Sequence, residues 1–80
     1  MSLVPITLDT DQQTIQLDGG EYIVSTFLNG GSASLDVINE GGSAWSPVGT
    51  LTDSPQRMFI QRGASVRLTK TGGALVEINR

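Results

Sequence analysis

Four pairs of adjacent glycines divide this chain into short segments and limit what it can fold into. They stand at positions 19–20, 30–31, 41–42 and 72–73, and the first three recur every 11 residues. Glycine supplies the positive φ angles that tight turns need, and the segments between the pairs are rich in Ile, Val, Thr, Leu and Phe. Short strands spaced about 8–12 residues apart with turn signals between them are typical of a β-sandwich or β-barrel.

Alternation of apolar and polar residues predicts eight short strands and no helix of consequence. Residues 32–38 alternate most regularly, with Ala33, Leu35 and Val37 on one face. Residues 21–28 carry apolar side chains on both faces, which is typical of a strand covered on both sides. The predicted strands are residues 4–8, 14–17, 21–28, 32–38, 44–48, 57–61, 65–69 and 74–79.

The turn residues predict how these strands are connected. Asn29-Gly30 is typical of a type I′ hairpin turn, and residues 71–73 and 39–42 predict two further hairpins. The strands would then form mostly an antiparallel meander. We predict an all-β fold: a small antiparallel β-sandwich or jelly-roll-like barrel of seven to eight short strands, with two sheets about 10 Å apart.

One domain is expected, over residues 11–80, with residues 1–10 as an N-terminal arm or edge strand because Pro5 weakens the first strand. A chain of 80 residues has a thin core, and domains of this size usually need disulfides, a metal or oligomerisation as well. The chain has no cysteine, which excludes disulfides and thiolate metal sites. We therefore predict that it associates with itself.

Charge and hydropathy exclude several classes of partner. The net charge is −3, and the cationic residues are spread through the last third of the chain instead of forming the basic patch of a nucleic-acid-binding protein. No apolar run approaches the roughly 20 residues of a membrane helix. The start, MSLVPITLD, lacks the basic region and long apolar core of a signal peptide. We expect no nucleic acid, no membrane and no standard secretory route.

The residues available for chemistry predict neither an enzyme nor a cofactor nor a metal. The chain has no histidine to activate a serine or threonine. Asp9, Asp11, Asp18 and Glu21 are close in sequence, but an 80-residue chain is expected to have no room for a catalytic cleft between two carboxylates. The aspartates would offer oxygens to calcium, yet aspartate is also an ordinary turn residue and no EF-hand pattern is present.

Trp45, the only tryptophan, has two interpretations. An exposed Trp45 or Tyr22 would stack on a sugar ring in a glycan-binding module. Burial of Trp45 in the core or in an interface is favoured, because one aromatic side chain covers about 150–250 Å² of a thin core. Tyr22 and Phe27 lie on opposite faces of one predicted strand, so one of them is free to meet a neighbouring subunit.

Three stretches of the chain carry a resemblance to a known family. They are GGEYIVSTFLNGGSASLDVIN, EGGSAWSPVG and RGASVRLTKTGGALVEI, and together they cover residues 19–79. Their order resembles that of small β-sandwich structural proteins of tailed bacteriophages, although Glu40 stands where that family more often has aspartate. The matching turn and core positions are Gly41, Gly42, Trp45, Val48, Gly49, Gly63, Val66, Arg67, Leu68, Gly72 and Gly73.

The resemblance implies a non-enzymatic virion protein made in the host cytoplasm: a capsid decoration or cement subunit that stabilises the shell by surface contacts. The partners it implies are the chain itself, as a homotrimer, and the major capsid protein or another virion protein. A tail or fibre module and a glycan-binding module are the alternatives. Deletion of residues 1–8 is expected to weaken assembly more than folding. The residues predicted at an interface are Leu3, Val4, Pro5, Ile6, Ile23, Phe27 and Phe59.

Overall fold

A computed structural model of the chain describes residues 6–79 and shows two four-stranded antiparallel sheets, with no helix in that range. Sheet A has the strand order β1-β8-β3-β6, and sheet B has the order β2-β7-β4-β5. The predicted all-β sandwich is therefore confirmed. The strands are β1 Ile6–Leu8, β2 Thr14–Gln16, β3 Gly20–Phe27, β4 Ser32–Ile38, β5 Ser46–Thr50, β6 Gln56–Ile60, β7 Ser65–Thr71 and β8 Leu75–Asn79.

This strand order is that of a jelly roll, in which eight strands in two sheets form two Greek keys. Among the strands of residues 6–79, only β4 and β5 are consecutive in the chain and also paired. The predicted meander of hairpins is wrong, because most turns carry the chain from one sheet to the other.

The β3–β4 corner, residues 28–31, shows where the hairpin prediction failed. Asn29 and Gly30 have φ angles of 49° and 84°, and the Gly31 N–H donates to the Leu28 carbonyl at 2.7 Å. The type I′ turn is thus present. It nevertheless joins strands of different sheets, since β3 belongs to sheet A and β4 to sheet B.

The β7–β8 corner, residues 71–74, crosses between the sheets beside the first corner. A Cβ built on Gly31 would collide with the Thr71 carbonyl oxygen, and one built on Gly72 would lie 3.1 Å from the Gly31 Cα. Two glycine pairs therefore serve one purpose: they allow two backbone corners to pack directly against each other.

The β4–β5 hairpin is confirmed. The Gly42 N–H donates to the Asn39 carbonyl at 2.8 Å, and Gly41 has a φ of 74°. The strand that follows begins at Ser46, two residues later than predicted, so Trp45 belongs to the connection.

The core lies between the two sheets and is almost entirely aliphatic. Along each long strand the buried residues are two positions apart, as the predicted alternation requires. Tyr22 is the one aromatic side chain among the buried residues, and its hydroxyl donates to the Asp18 carbonyl at 2.6 Å. The buried hydrophobic residues are Leu8, Leu17, Tyr22, Val24, Ala33, Leu35, Leu51, Ile60, Ala64, Val66, Leu68, Ala74, Val76 and Ile78.

The N-terminal strand belongs to this core. Leu8 has no exposed surface, and Ile6–Leu8 pairs with β8 at the edge of sheet A. A deletion of residues 1–8 would remove a strand and a core side chain, so it would test folding and not a separable arm.

Candidate interaction surface

The outer face of sheet A exposes large apolar side chains. Ile23, Phe27 and Phe59 are 43%, 48% and 74% exposed, and we call these three residues the sheet-A face. They are three of the four large hydrophobic residues that are exposed among residues 6–79. The fourth, Val48, lies on β5 of the other sheet.

The strand register explains how these side chains come together. Phe59 on β6 stands opposite Glu21, and Arg57 stands opposite Ile23. Phe59 is therefore the diagonal neighbour of Ile23, a separation that aromatic side chains can span. Phe27 stands farther along β3, opposite the half-buried Leu75 of β8. The sheet-A face thus extends along β3. Glu21 and Arg57 place a negative and a positive charge beside it, where β3 pairs with β6.

The structure separates the predicted interface residues into groups. Ile23 and Phe27 share the outer face, as the alternation along residues 21–28 predicted, and the pairing of β6 with β3 adds Phe59 to it. Ile6 is half-buried and packs against the core. Leu3, Val4 and Pro5 lie outside the described residues.

Trp45 is not a core residue, which corrects that part of its prediction. It is half-buried and lies above the outer face of sheet B, where the Arg67 guanidinium carbon is 4.4 Å from the centre of the indole ring. Arg67 also forms a 3.1 Å ion pair with Asp36, its cross-strand neighbour on β4. The indole and the carboxylate together hold the guanidinium over the sheet, where a cation–π contact contributes about 0.5–1 kcal/mol.

Sequence reasoning missed the Trp45–Arg67–Asp36 cluster, although the outward direction of Arg67 could have been predicted. Val66 and Leu68 point inward, so Arg67 between them must point outward. The partner of Arg67 depends on the pairing of β4 with β7. This pairing brings Asp36 to Arg67 across 31 residues of sequence. Among the glycines that carry the resemblance described from the sequence, Gly41, Gly63 and Gly72 have positive φ angles of 74°, 80° and 60°.

An open depression of about 380 Å³ lies beside the end of β2. Of the four acids considered for catalysis, only Asp18 lines it, so the depression does not bring two of them together. A Cβ on Gly63 would lie 2.6 Å from the Glu40 carboxyl carbon, so a larger residue there would displace the end of the Glu40 side chain. The lining residues are Gln16, Leu17, Asp18, Glu40, Arg62 and Gly63.

The aspartates considered for calcium make local contacts. The Lys70 backbone N–H donates to Asp11 at 2.9 Å, and this hydrogen bond holds the pKa of the Asp11 carboxyl below its ordinary value. Asp9 accepts from the Thr10 hydroxyl. Within residues 6–79 no three carboxylates gather closely enough to hold a metal ion. In the same range, no helix has the length and hydropathy needed to cross a membrane.

No family model, curated protein or solved structure matches the chain in comparisons with known proteins.

Proposed function

We propose that this chain is a non-enzymatic structural subunit of a virion that works by surface contact, and that the sheet-A face is covered in its assembly. The observation that carries the proposal is the exposure of Ile23, Phe27 and Phe59 on one face of one sheet. Small soluble domains rarely leave several large apolar side chains together in water, and such patches are typical of interaction sites.

The mechanism is burial of apolar area. Covering exposed apolar surface contributes about 25 cal/mol per Å², and an aromatic side chain offers more area than any aliphatic one. A subunit with a thin core gains twice from such contacts, because binding to a neighbour also stabilises its folded state. A decoration subunit would hold adjacent shell proteins together in this way.

The virion setting rests on the resemblance of residues 19–79 to small structural proteins of tailed bacteriophages. Decoration of a capsid is the form that we propose, with the chain itself and a capsid protein as partners. The homotrimer that the resemblance implies stays a prediction. A tail or fibre module would use the same face against a different neighbour.

The test is to restore the purified protein to parent particles that lack it and to measure occupancy. Ile23→Ser should reduce occupancy strongly, since it places a polar group in the contact. Val48→Ser is the matched control, because Val48 is also 43% exposed but lies on the other sheet. Equal occupancy for wild type and both variants, or a cryo-EM map in which the face is left open, would overturn the proposal.

Glycan binding is a second candidate because Trp45 lies on the outer face of sheet B instead of in the core. Tyr22 cannot serve as a platform, since it is only 2% exposed. Arg67 covers part of the Trp45 indole, which leaves less of it for stacking on a sugar. A change in Trp45 fluorescence on addition of oligosaccharides would favour this candidate, and an unchanged spectrum would count against it.

A further inference from the structure

Two sheets have four edge strands, and three of these edges are poor templates for another strand. β2 has only three residues, and β1 has three within the part of the chain that the structure describes. β5 contains Pro47 and Gly49, and its register with β4 shifts between Leu35 and Asp36. Short strands, proline and bulges are the features by which β-proteins prevent pairing at their edges.

The edge formed by β6 has none of these features. Its register with β3 runs without interruption from Gly20 opposite Ile60 to Val24 opposite Gln56. It has five residues and no proline, and among residues 6–79 no strand lies on its far side. Every second residue of such an edge directs its N–H and C=O groups away from the sheet, where they can pair with another strand.

We propose that two copies of this chain pair antiparallel through β6 about a two-fold axis, which joins their A sheets into one sheet of eight strands. The proposal names the first partner of the subunit proposed above, and the place of this dimer in an assembly rests on that function. The register that pairs all five residues places Met58 opposite Met58 of the second copy. Arg57 then stands opposite Phe59 of the second copy, and Gln56 opposite Ile60.

The chemistry of the side chains favours this register. Arg57 and Phe59 both lie on the outer face, so the pairing creates two Arg–Phe contacts of the cation–π type. A shift by two positions in one direction would place Arg57 opposite Arg57 of the second copy. It would also place Phe59 opposite Pro55 of the second copy. The opposite shift keeps only three of the five pairs. A shift by one position would set inward-facing residues against outward-facing ones.

Burial points the same way. Phe59 is the most exposed large hydrophobic residue among those described, at 74%, and it is on this edge. Met58, on the inner side of the same strand, is half-buried at the margin of the core. A second β6 would cover both. It would also bring two sheet-A faces together into one continuous surface, with Phe59 of each copy near the centre.

The absence of cysteine allows a direct test by disulfide formation. In Met58→Cys the two thiols would stand directly opposite, within the Cα separation of about 4.4–6.8 Å that a disulfide needs. Gln56→Cys is the control: it is on the same strand and exposed, but the two copies of this position would lie about 13 Å apart. We expect Met58→Cys to cross-link at least about tenfold faster than Gln56→Cys, because pairing raises the effective concentration of its thiols.

A second measurement uses the unchanged protein and needs no variant to fold. Hydrogen exchange at alternate amides of residues 56–60 should slow as protein concentration rises, whereas exchange in β5 should not change. Sedimentation should show a dimer where the resemblance implies a trimer.

Equal cross-linking rates, or β6 amides whose exchange is independent of concentration, would overturn the pairing. This failure is distinct from that of the proposed function. If the pairing fails while Ile23→Ser still lowers particle occupancy, the subunit uses the sheet-A face without the β6 edge. If the pairing holds while Ile23→Ser has no effect, the dimer stands and the proposed role of the face does not.

Discussion

The side-chain amide of Asn29 donates a 3.0 Å hydrogen bond to the backbone carbonyl of Gly73 and so ties the β3–β4 corner to the β7–β8 corner. The two residues are 44 positions apart in sequence. At this point the chain crosses twice between the sheets, and the two crossings share hydrogen bonds as well as close backbone packing. The corners therefore act as one unit that fixes how sheet A lies on sheet B.

Replacing Asn29 should separate the two contributions of this residue to stability. Asn29→Gly keeps the positive φ and removes the amide, so it should cost about 0.5–1.5 kcal/mol, the contribution of one hydrogen bond. Asn29→Ala removes the amide and also strains the left-handed backbone, which adds about 1–2 kcal/mol. Urea unfolding followed by circular dichroism measures both. Equal losses for the two variants would show that the φ of 49° places no demand on the side chain.

Gly31→Ala should destabilise the fold more than any other single methyl group added at these corners. Its Cβ would collide with the Thr71 carbonyl, which belongs to a backbone held in sheet B. Forcing a group into a packed site typically costs about 1–3 kcal/mol. Gly73→Ala is the control in the second corner, since its Cβ would meet the Asn29 Cβ at 3.5 Å and the Asn29 carbonyl oxygen at 3.9 Å, both ordinary contact distances. Urea unfolding of the two variants should differ clearly, and matching midpoints would contradict the packing described here.

Strand positions could be predicted from the sequence because a half-buried strand repeats every two residues. Residues 32–38 were predicted with the observed bounds, and their inward row of Ala33 and Leu35 is buried. The pairing of strands could not be predicted in this way. A hairpin closed at Asn29-Gly30 would set Thr26 opposite Ala33 and Val24 opposite Leu35, so all four would still face one core. The inward rows are the same in a hairpin and in a corner between sheets.

What decides between hairpin and corner is a contact that is distant in sequence. Gly31 fits against Thr71 only when β4 pairs with β7, and no local pattern records that pairing. Trp45 was misplaced for a related reason. The area of the indole alone favours burial in the core, whereas the outward-facing Arg67 provides a second place to cover that area.

Arg67→Ala should shift the fluorescence of Trp45 to longer wavelength and increase its quenching by acrylamide. The guanidinium lies 4.4 Å from the centre of the indole, so its removal exposes the ring to water. Arg57→Ala is a suitable control, because Arg57 is exposed on the other sheet. Trp45 is the only tryptophan, so the signal has a single source. An emission maximum that is unchanged in Arg67→Ala would mean that the indole is covered by other groups.

Asp11 should titrate below the ordinary range of an aspartate, and its hydrogen bond with β7 should make stability depend on acid. The main cause of the lowered pKa is the N–H of Lys70, which donates to the carboxylate at 2.9 Å; the Lys70 charge contributes least. Since the pKa is lower in the folded state, the stabilisation is fully present above the unfolded value of 3.8 and is lost as the pH falls through the folded value.

The carboxyl carbon of Asp11 can be followed by NMR between neutral and low pH. Lys70→Met is the matched variant, because it removes the charge and keeps the backbone N–H, so most of the lowering should persist. A return of the Asp11 pKa to its ordinary value in Lys70→Met would assign the shift to the charge instead of the hydrogen bond.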